Sequence, residues 1–300
     1  MNYDCDTYRK DIDYLFQWFM ANRSHEFEAF SVGFAFEMTL TRYHSGPGKT
    51  SLIITLFTLF AFIAWYEKTG NVQALEAVLA FEQLLDKDWL KYETATELWY
   101  SYQPGVKDEV YNATAKVGRF YALLYGIRRE PRYLDKLQKM LAYLQRVQNA
   151  DGTWGYSVQA PYVDNFHTAF VLESIAEMNK YCGTPASKAM FEKGLATYRA
   201  HCFCGSRPLH FHTAHKPGDI RSRILHTEIR DAANAIILFS KLGDRDAATG
   251  IIEWLVANFY NSRQHYFYFF DNKLFKSKID FIRWQSWMAL ALSEYISHEL

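Results

Sequence analysis

The sequence predicts an all-α chain: an alpha/alpha barrel, or toroid, of five to six helical hairpins, with room for short strands in its long loops. Three observations carry this. Apolar residues recur at spacings of three and four in segment after segment, as in helices with a buried face. Segments that are apolar nearly all round alternate with amphipathic ones, repeating at about 55 residues, as stacked hairpins do. Connections alternate as well: a short turn, usually holding Gly, comes after each apolar segment, and a long loop after each amphipathic one.

In chain order, 6–21 is amphipathic, with Tyr14, Leu15, Trp18 and Phe19 on one side. The segment 50–66 is uncharged and at the short edge of membrane-span length, but Thr50, Ser51, Thr55 and Thr58 interrupt it. A buried core helix is therefore expected there, not an integral membrane span. After the turn 67–71 comes amphipathic 72–85. Apolar 112–125 turns through 126–131 into 132–147, and 166–179 turns through Gly183 and Pro185 into 186–200. Apolar 228–241 turns at Gly243 into 245–259, and 281–298 is the last helix. The long loops at 23–47, 88–111, 149–165, 202–227 and 260–280 all precede apolar helices, so they gather at one end of an inner ring. Long loops inside compact domains tend to carry function, and the site is expected at that end. Aromatic and β-branched residues at 28–41 and 265–270 suit short hairpins. No Pro/Gly/Ser-rich linker interrupts the composition, so 1–300 reads as a single domain.

Basic and acidic residues balance at 33 each, which leaves no general attraction to nucleic acid or to an anionic membrane. Aromatic residues reach 17%, enough for a bulky core or for a cavity lined by ring faces, as sugar and isoprenoid sites require. Cys5, Cys182, Cys202 and Cys204 are too few and scattered for a disulfide framework. The first residues lack the basic and apolar regions of a signal peptide, so a cytoplasmic location is expected. Oligomeric state is not legible.

Chemistry-bearing residues cluster where loops enter apolar helices. Trp154 and Tyr156 come just after the Asp151-Gly152 turn, and both rings are expected at the cavity mouth. On that reading Trp154→Ala weakens ligand binding more than it lowers the melting temperature. Asp164 or Asn165 can cap a helix by accepting from free backbone N–H groups. His167, on the first turn, can act as general base or acid near neutral pH. Glu228, Arg230 and Asp231 begin another apolar helix, and Arg283, Trp284, Gln285 and Trp287 the last. An arginine in an apolar helix needs a carboxylate partner or a bound anion. Tyr100, Tyr102 and Asn112 belong to the loop and helix start at 99–112. Cys202 and Cys204 precede His210, His212 and His215, ligand types suited to zinc, but their spacing fits no familiar zinc pattern. No metal or cofactor is expected.

Lys139, Tyr143, Leu144, Gln148, Gly152 and Trp154 match the spacing of the QW repeat, departing at Met140, where that repeat has Gly or Ala. This resembles squalene-cyclase-like alpha/alpha toroids. Protein prenyltransferase β subunits are similar around His167, but the Asp-x-Cys pair of their zinc site is missing. So are the Asp-x-Asp-Asp and Asp-Asp-x-x-Asp motifs of terpene chemistry. The order Tyr100-Ser-Tyr102-Gln-Pro104, Gln148…Trp154, Asp164-Asn-Phe-His167 and Arg283-Trp-Gln-Ser-Trp287 resembles a bacterial toroid family, six-hairpin-glycosidase-like, associated with capsule or exopolysaccharide biosynthesis. The resemblance runs from about residue 57 to the end and departs at Glu228-Ile-Arg230, where Asp-x-His is expected.

This resemblance, with the aromatic and polar residues at the loop end, implies a carbohydrate-active protein whose ligand is a saccharide or glycoconjugate. Its expected proton-transfer groups are Asp164, His167, Glu228 and Asp231. Tyr100, Tyr102, Asn112, Trp154, Tyr156, Asn165, Arg230, Arg283 and Trp284 are its expected binding surface. A glycosidase would pair Asp164 with Glu228 or Asp231. A lyase or epimerase would use His167 and a tyrosine, with Asn165 or Arg283 neutralising a carboxylate. Two alternatives stand beside these: an isoprenoid-handling enzyme, with an apolar cavity and Arg and Lys near a diphosphate, and a non-catalytic glycan-binding or scaffold protein.

Overall fold

The computed structural model describes residues 5–40, 43–210, 225–272, 276–277 and 282–297. Among them are ten helices and ten short strands, the strands paired two by two and antiparallel. The chain forms two compact units, Met1–Tyr143 and Leu144–Leu300.

The first unit holds α1 (Cys5–Ala21), α2 (Leu52–Thr69), α3 (Val72–Lys87), α4 (Tyr111–Arg128) and most of α5 (Pro131–Arg146). Between these helices lie the hairpins β1–β2 (Met38–Leu40, Tyr43–Ser45) and β3–β4 (Lys91–Glu93, Leu98–Tyr100). Only the end of 28–41 is therefore strand. Helix α2 runs past the expected turn because Gly70 takes the left-handed conformation (φ 69°) and returns its N–H to Tyr66. Likewise α4 passes through Gly126 and stops at Arg129 (φ 56°), which plays the same capping part without being a glycine. By length and composition α2 could cross a membrane; half of it is buried within the fold, and it packs on α3 and α4.

The second unit holds α6 (Asn165–Cys182), α7 (Pro185–Cys202), α8 (Ile229–Lys241), α9 (Arg245–Phe259) and α10 (Ile282–Ser297). Its strands are β5 (Phe203–Cys204) with β6 (Arg207–Pro208), β7 (Leu225–Glu228) with β10 (Phe270–Asn272), and β8 (Tyr260–Asn261) with β9 (Tyr266–Phe267). The region 265–270 thus contributes to two hairpins. Side-chain oxygens start the helices: Asp164 caps α6, a Thr184–Ser187 capping box starts α7, and Asp244 caps α9.

Burial separates two kinds of helix. From Asp231 to Ser240 every residue of α8 is buried, and α6 is buried from Thr168 to Ile175. Helix α9 buries a single stripe, Ala248, Ile251, Leu255 and Phe259, at spacings of three and four. Helix α8 packs against both α6 and α10, whereas α7 and α9 pack on their own hairpin partners. The apolar helices are therefore inner and the amphipathic ones outer. Lys241 donates to Glu173 at 2.8 Å, an ion pair that ties α8 to α6 and offsets the cost of burying either charge.

Candidate active site

The N-terminal turns of α6, α8 and α10 meet in the second unit. Asn234 Nδ2 donates to the Phe166 carbonyl (3.3 Å), and its Oδ1 accepts the indole N–H of Trp287 (2.7 Å). The rings of Phe166 and Trp287 lie 5.9 Å apart, and Trp287 also reaches Phe170 at 6.0 Å. Gln285 clamps β9 to α10, accepting from and donating to the backbone of Phe267.

Asp164 does two jobs with its two oxygens. Oδ1 accepts the His167 backbone N–H at 2.6 Å, which caps α6; Oδ2 lies 2.6 Å from His167 Nδ1. With Asp164 ionised, Nδ1 carries the proton and Nε2 presents a lone pair. Nε2 has no hydrogen-bond partner among the described residues. The Tyr156 ring meets the imidazole edge-on at 4.8 Å. The sequence offered a helix cap or a proton-transfer group as readings of Asp164; the geometry shows the cap and adds a bond to His167, because a carboxylate has two acceptor oxygens.

Glu228 ends β7, pairing with Phe270 of β10, and is also the N-cap of α8, without a side-chain cap bond. It holds Arg230 by an ion pair from Nε. The Arg230 guanidinium lies between two rings, 5.1 Å from Phe166 and 4.8 Å from Trp284, which fixes its plane. On its other side Trp284 stacks on Phe269 at 5.7 Å and 4°, and Arg283 lies 4.8 Å from the Trp284 ring.

Asp231, fully buried, takes His210 Nδ1 at 2.9 Å, with Glu228 3.6 Å from the same nitrogen. Burial, and then Glu228, push the Asp231 carboxyl up to about 6, against His210 and Arg230. Burial works to lower the His210 pKa, but the bond to Asp231 and the charges of Asp231 and Glu228 outweigh it, and the result is raised. Sequence reasoning named His210 only as a zinc-type ligand in a His-rich loop and did not place it among the site residues. It sits on a different segment from Asp231, and the only available signal was its place in a His-rich loop. His212 and His215 lie outside the described residues.

These shifts set a sign for pH dependence. Folded Asp231 keeps a proton that the unfolded chain releases above 3.8, and folded His210 keeps one that it releases above 6.5. Their contribution to stability is therefore full below those values and is lost as pH rises through the folded ones. The melting temperature should fall through this window, and His210→Gln should remove the part of the fall above pH 6.5. A variant whose profile overlays the wild type between pH 6 and 9 would contradict the pairing.

Other expected site residues lie elsewhere. Trp154 is 2% exposed, donates from its indole to the Leu144 carbonyl (2.9 Å) and covers Gly194, where a Cβ would lie 2.5 Å from the ring. It is a core residue, contrary to the expected place at a cavity mouth. Gln148 bonds the carbonyls of Gly152 and Met190, both at 2.9 Å, so the QW-like stretch pins the turn before α6 onto α7. Asn165 is fully buried, accepting from Tyr198 (2.8 Å) and donating to Leu209 (2.9 Å), which makes it a structural tie. In the first unit Tyr100 is fully buried and bonded to Tyr121 (3.3 Å), which reaches Asp86 (2.8 Å). Tyr102 is half-buried. Asn112 is 4% exposed, and its Nδ2 has no hydrogen-bond partner among the described residues.

No family model matches the chain, and no curated protein is similar to it in sequence. Solved structures are similar in fold. A cellobiose 2-epimerase from Spirochaeta thermophila aligns with a TM-score of 0.61 at 13% identity, over 95% of this chain and 78% of its own. The cellobiose 2-epimerase of Bacillus thermoamylovorans aligns at 0.67 and 11% identity, over 88% and 74%. A family 76 glycoside hydrolase (mannosidase) from Bacteroides thetaiotaomicron aligns at 0.67 and 13%, over 98% and 80%. These likenesses define the class of the fold, an alpha/alpha toroid.

Proposed function

We propose that the protein is an enzyme acting on a saccharide by proton transfer at a carbon beside a carbonyl group, as an epimerase or isomerase does. The observation that carries this is the pairing of the three site carboxylates. Asp164 is bonded to His167, Glu228 to Arg230 and Asp231 to His210. Glycoside hydrolysis needs two carboxyls facing the scissile bond. Here the carboxylates orient other groups, and His167 Nε2 is the nitrogen left to act as the base. His167 removes the proton from carbon and the electron pair moves onto the carbonyl oxygen to give an enediolate; a proton from water then adds at the opposite face of that carbon, and His167 releases the one it took to solvent. His210, held protonated by Asp231, is the acid available to the developing oxygen. Structural neighbours that include two epimerases and a mannosidase support a saccharide as the ligand class.

An isoprenoid diphosphate suits this site less, because Arg230 is already engaged by Glu228. The proposal extends, from the sequence resemblance alone, to surface-polysaccharide metabolism in the cytoplasm. The test is NMR in D2O with a panel of neutral mono- and disaccharides. Deuterium should enter at the carbon beside the anomeric centre without glycosidic cleavage. Cleavage with no exchange would replace this reading with hydrolysis, and binding with neither would leave a glycan-binding protein.

A further inference from the structure

The segment between the QW-like turn and α6 forms a closed, rigid loop. Tyr156 N donates to the Tyr162 carbonyl at 2.8 Å, and Ser157 and Ala160 exchange backbone bonds at 3.1 and 3.3 Å. Gly155 lies against Pro161 so closely that a Cβ would come 3.2 Å from the Pro161 Cα. Two tyrosines leave this loop on the same side, their rings parallel (8°) and 5.2 Å apart. The first of them meets the His167 imidazole at 69°.

The pair differs in exposure from the tyrosines of the core. The tyrosines that serve the core, Tyr100, Tyr121, Tyr133, Tyr143 and Tyr198, are at most 1% exposed, whereas Tyr156 and Tyr162 are half-buried. Half-exposed rings on a fixed loop offer an apolar face for the C–H face of a pyranose. Rigidity matters, because a platform that is already ordered loses little entropy when a ring settles on it.

We propose that Tyr156 and Tyr162 form a subsite for a second sugar ring, so that the substrate is a neutral oligosaccharide of at least two rings with its reacting ring at His167. This rests on the proposed saccharide function and adds length and charge to it. A nucleotide base could stack on the same rings, but Arg230, a cation that its diphosphate would need, is already engaged by Glu228.

Calorimetric titration tests the subsite without any turnover. The ligands are neutral hexose disaccharides, their parent monosaccharides and UDP-glucose. The wild type should bind a disaccharide about tenfold more tightly than its monosaccharide, the ratio expected for one added stacking contact. Tyr162→Ala should remove most of that ratio and leave monosaccharide affinity within about twofold, while Tyr162→Phe, which keeps the ring, should preserve it. Should the alanine variant fail to melt cooperatively, Tyr162→Leu keeps apolar bulk without a stacking face and should show the same loss. An unchanged ratio in the alanine or leucine variant overturns the subsite and leaves the saccharide reading standing. Tighter binding of UDP-glucose than of any disaccharide also overturns it. Absence of binding by every saccharide overturns both.

Discussion

His167→Gln should keep the fold and lose catalysis, with kcat/KM for solvent-hydrogen exchange falling by about 10²–10⁴, the range that general-base groups contribute. Glutamine preserves the N-cap, because the bond to Asp164 Oδ1 comes from the backbone N–H of residue 167. Its side-chain amide can still donate to Asp164 Oδ2, so no buried carboxylate is left unpaired. What it lacks is a basic nitrogen. A melting temperature close to wild type, together with lost exchange, would place the base at residue 167. A fully active glutamine variant would remove His167 from the mechanism and with it the proton-transfer reading.

Trp154→Ala should act on stability. Its ring is buried over Gly194, and truncation leaves a cavity and orphans the Leu144 carbonyl that the indole N–H now serves. Loss of a buried tryptophan costs about 3–5 kcal/mol, seen as a lower urea midpoint. A protein of ordinary stability has about 5–15 kcal/mol in all, so the variant should be near its folding limit. This reverses what sequence spacing suggests, namely a ring at the cavity mouth whose loss mainly weakens binding. A Trp154→Ala variant with wild-type stability and weakened saccharide affinity would put the ring back at the cavity mouth.

Tyr156, two residues on, shows why the sequence does not separate these roles. Both rings sit in one short loop with the same composition around them. Trp154 turns inward onto α7 because Gly194 leaves room for an indole there, forty residues later in the chain. Tyr156 turns toward His167 and shares its loop with Tyr162, whose stacking depends on the closing bonds between 156 and 162. Glu228 is another instance. It reads as the start of a helix and is the N-cap of α8, but its pairing with Phe270 also makes it the end of a strand, beside Arg230 and His210.

By itself the sequence determined the helices, their alternation of inner and outer faces, a cap for α6 at Asp164 or Asn165, and the end of the inner helices at which polar residues gather. These rest on local physics: helical periodicity, a side-chain oxygen within reach of the next turn, and glycine's freedom in a left-handed cap. Only the tertiary structure decided which charged groups face one another. His210 finds Asp231, Arg230 settles between Phe166 and Trp284, and Asn165 is spent on Tyr198 and Leu209, all through contacts between segments far apart in the chain. Such pairings depend on how the helix ends pack in space, and residue spacing along the chain carries no measure of that distance.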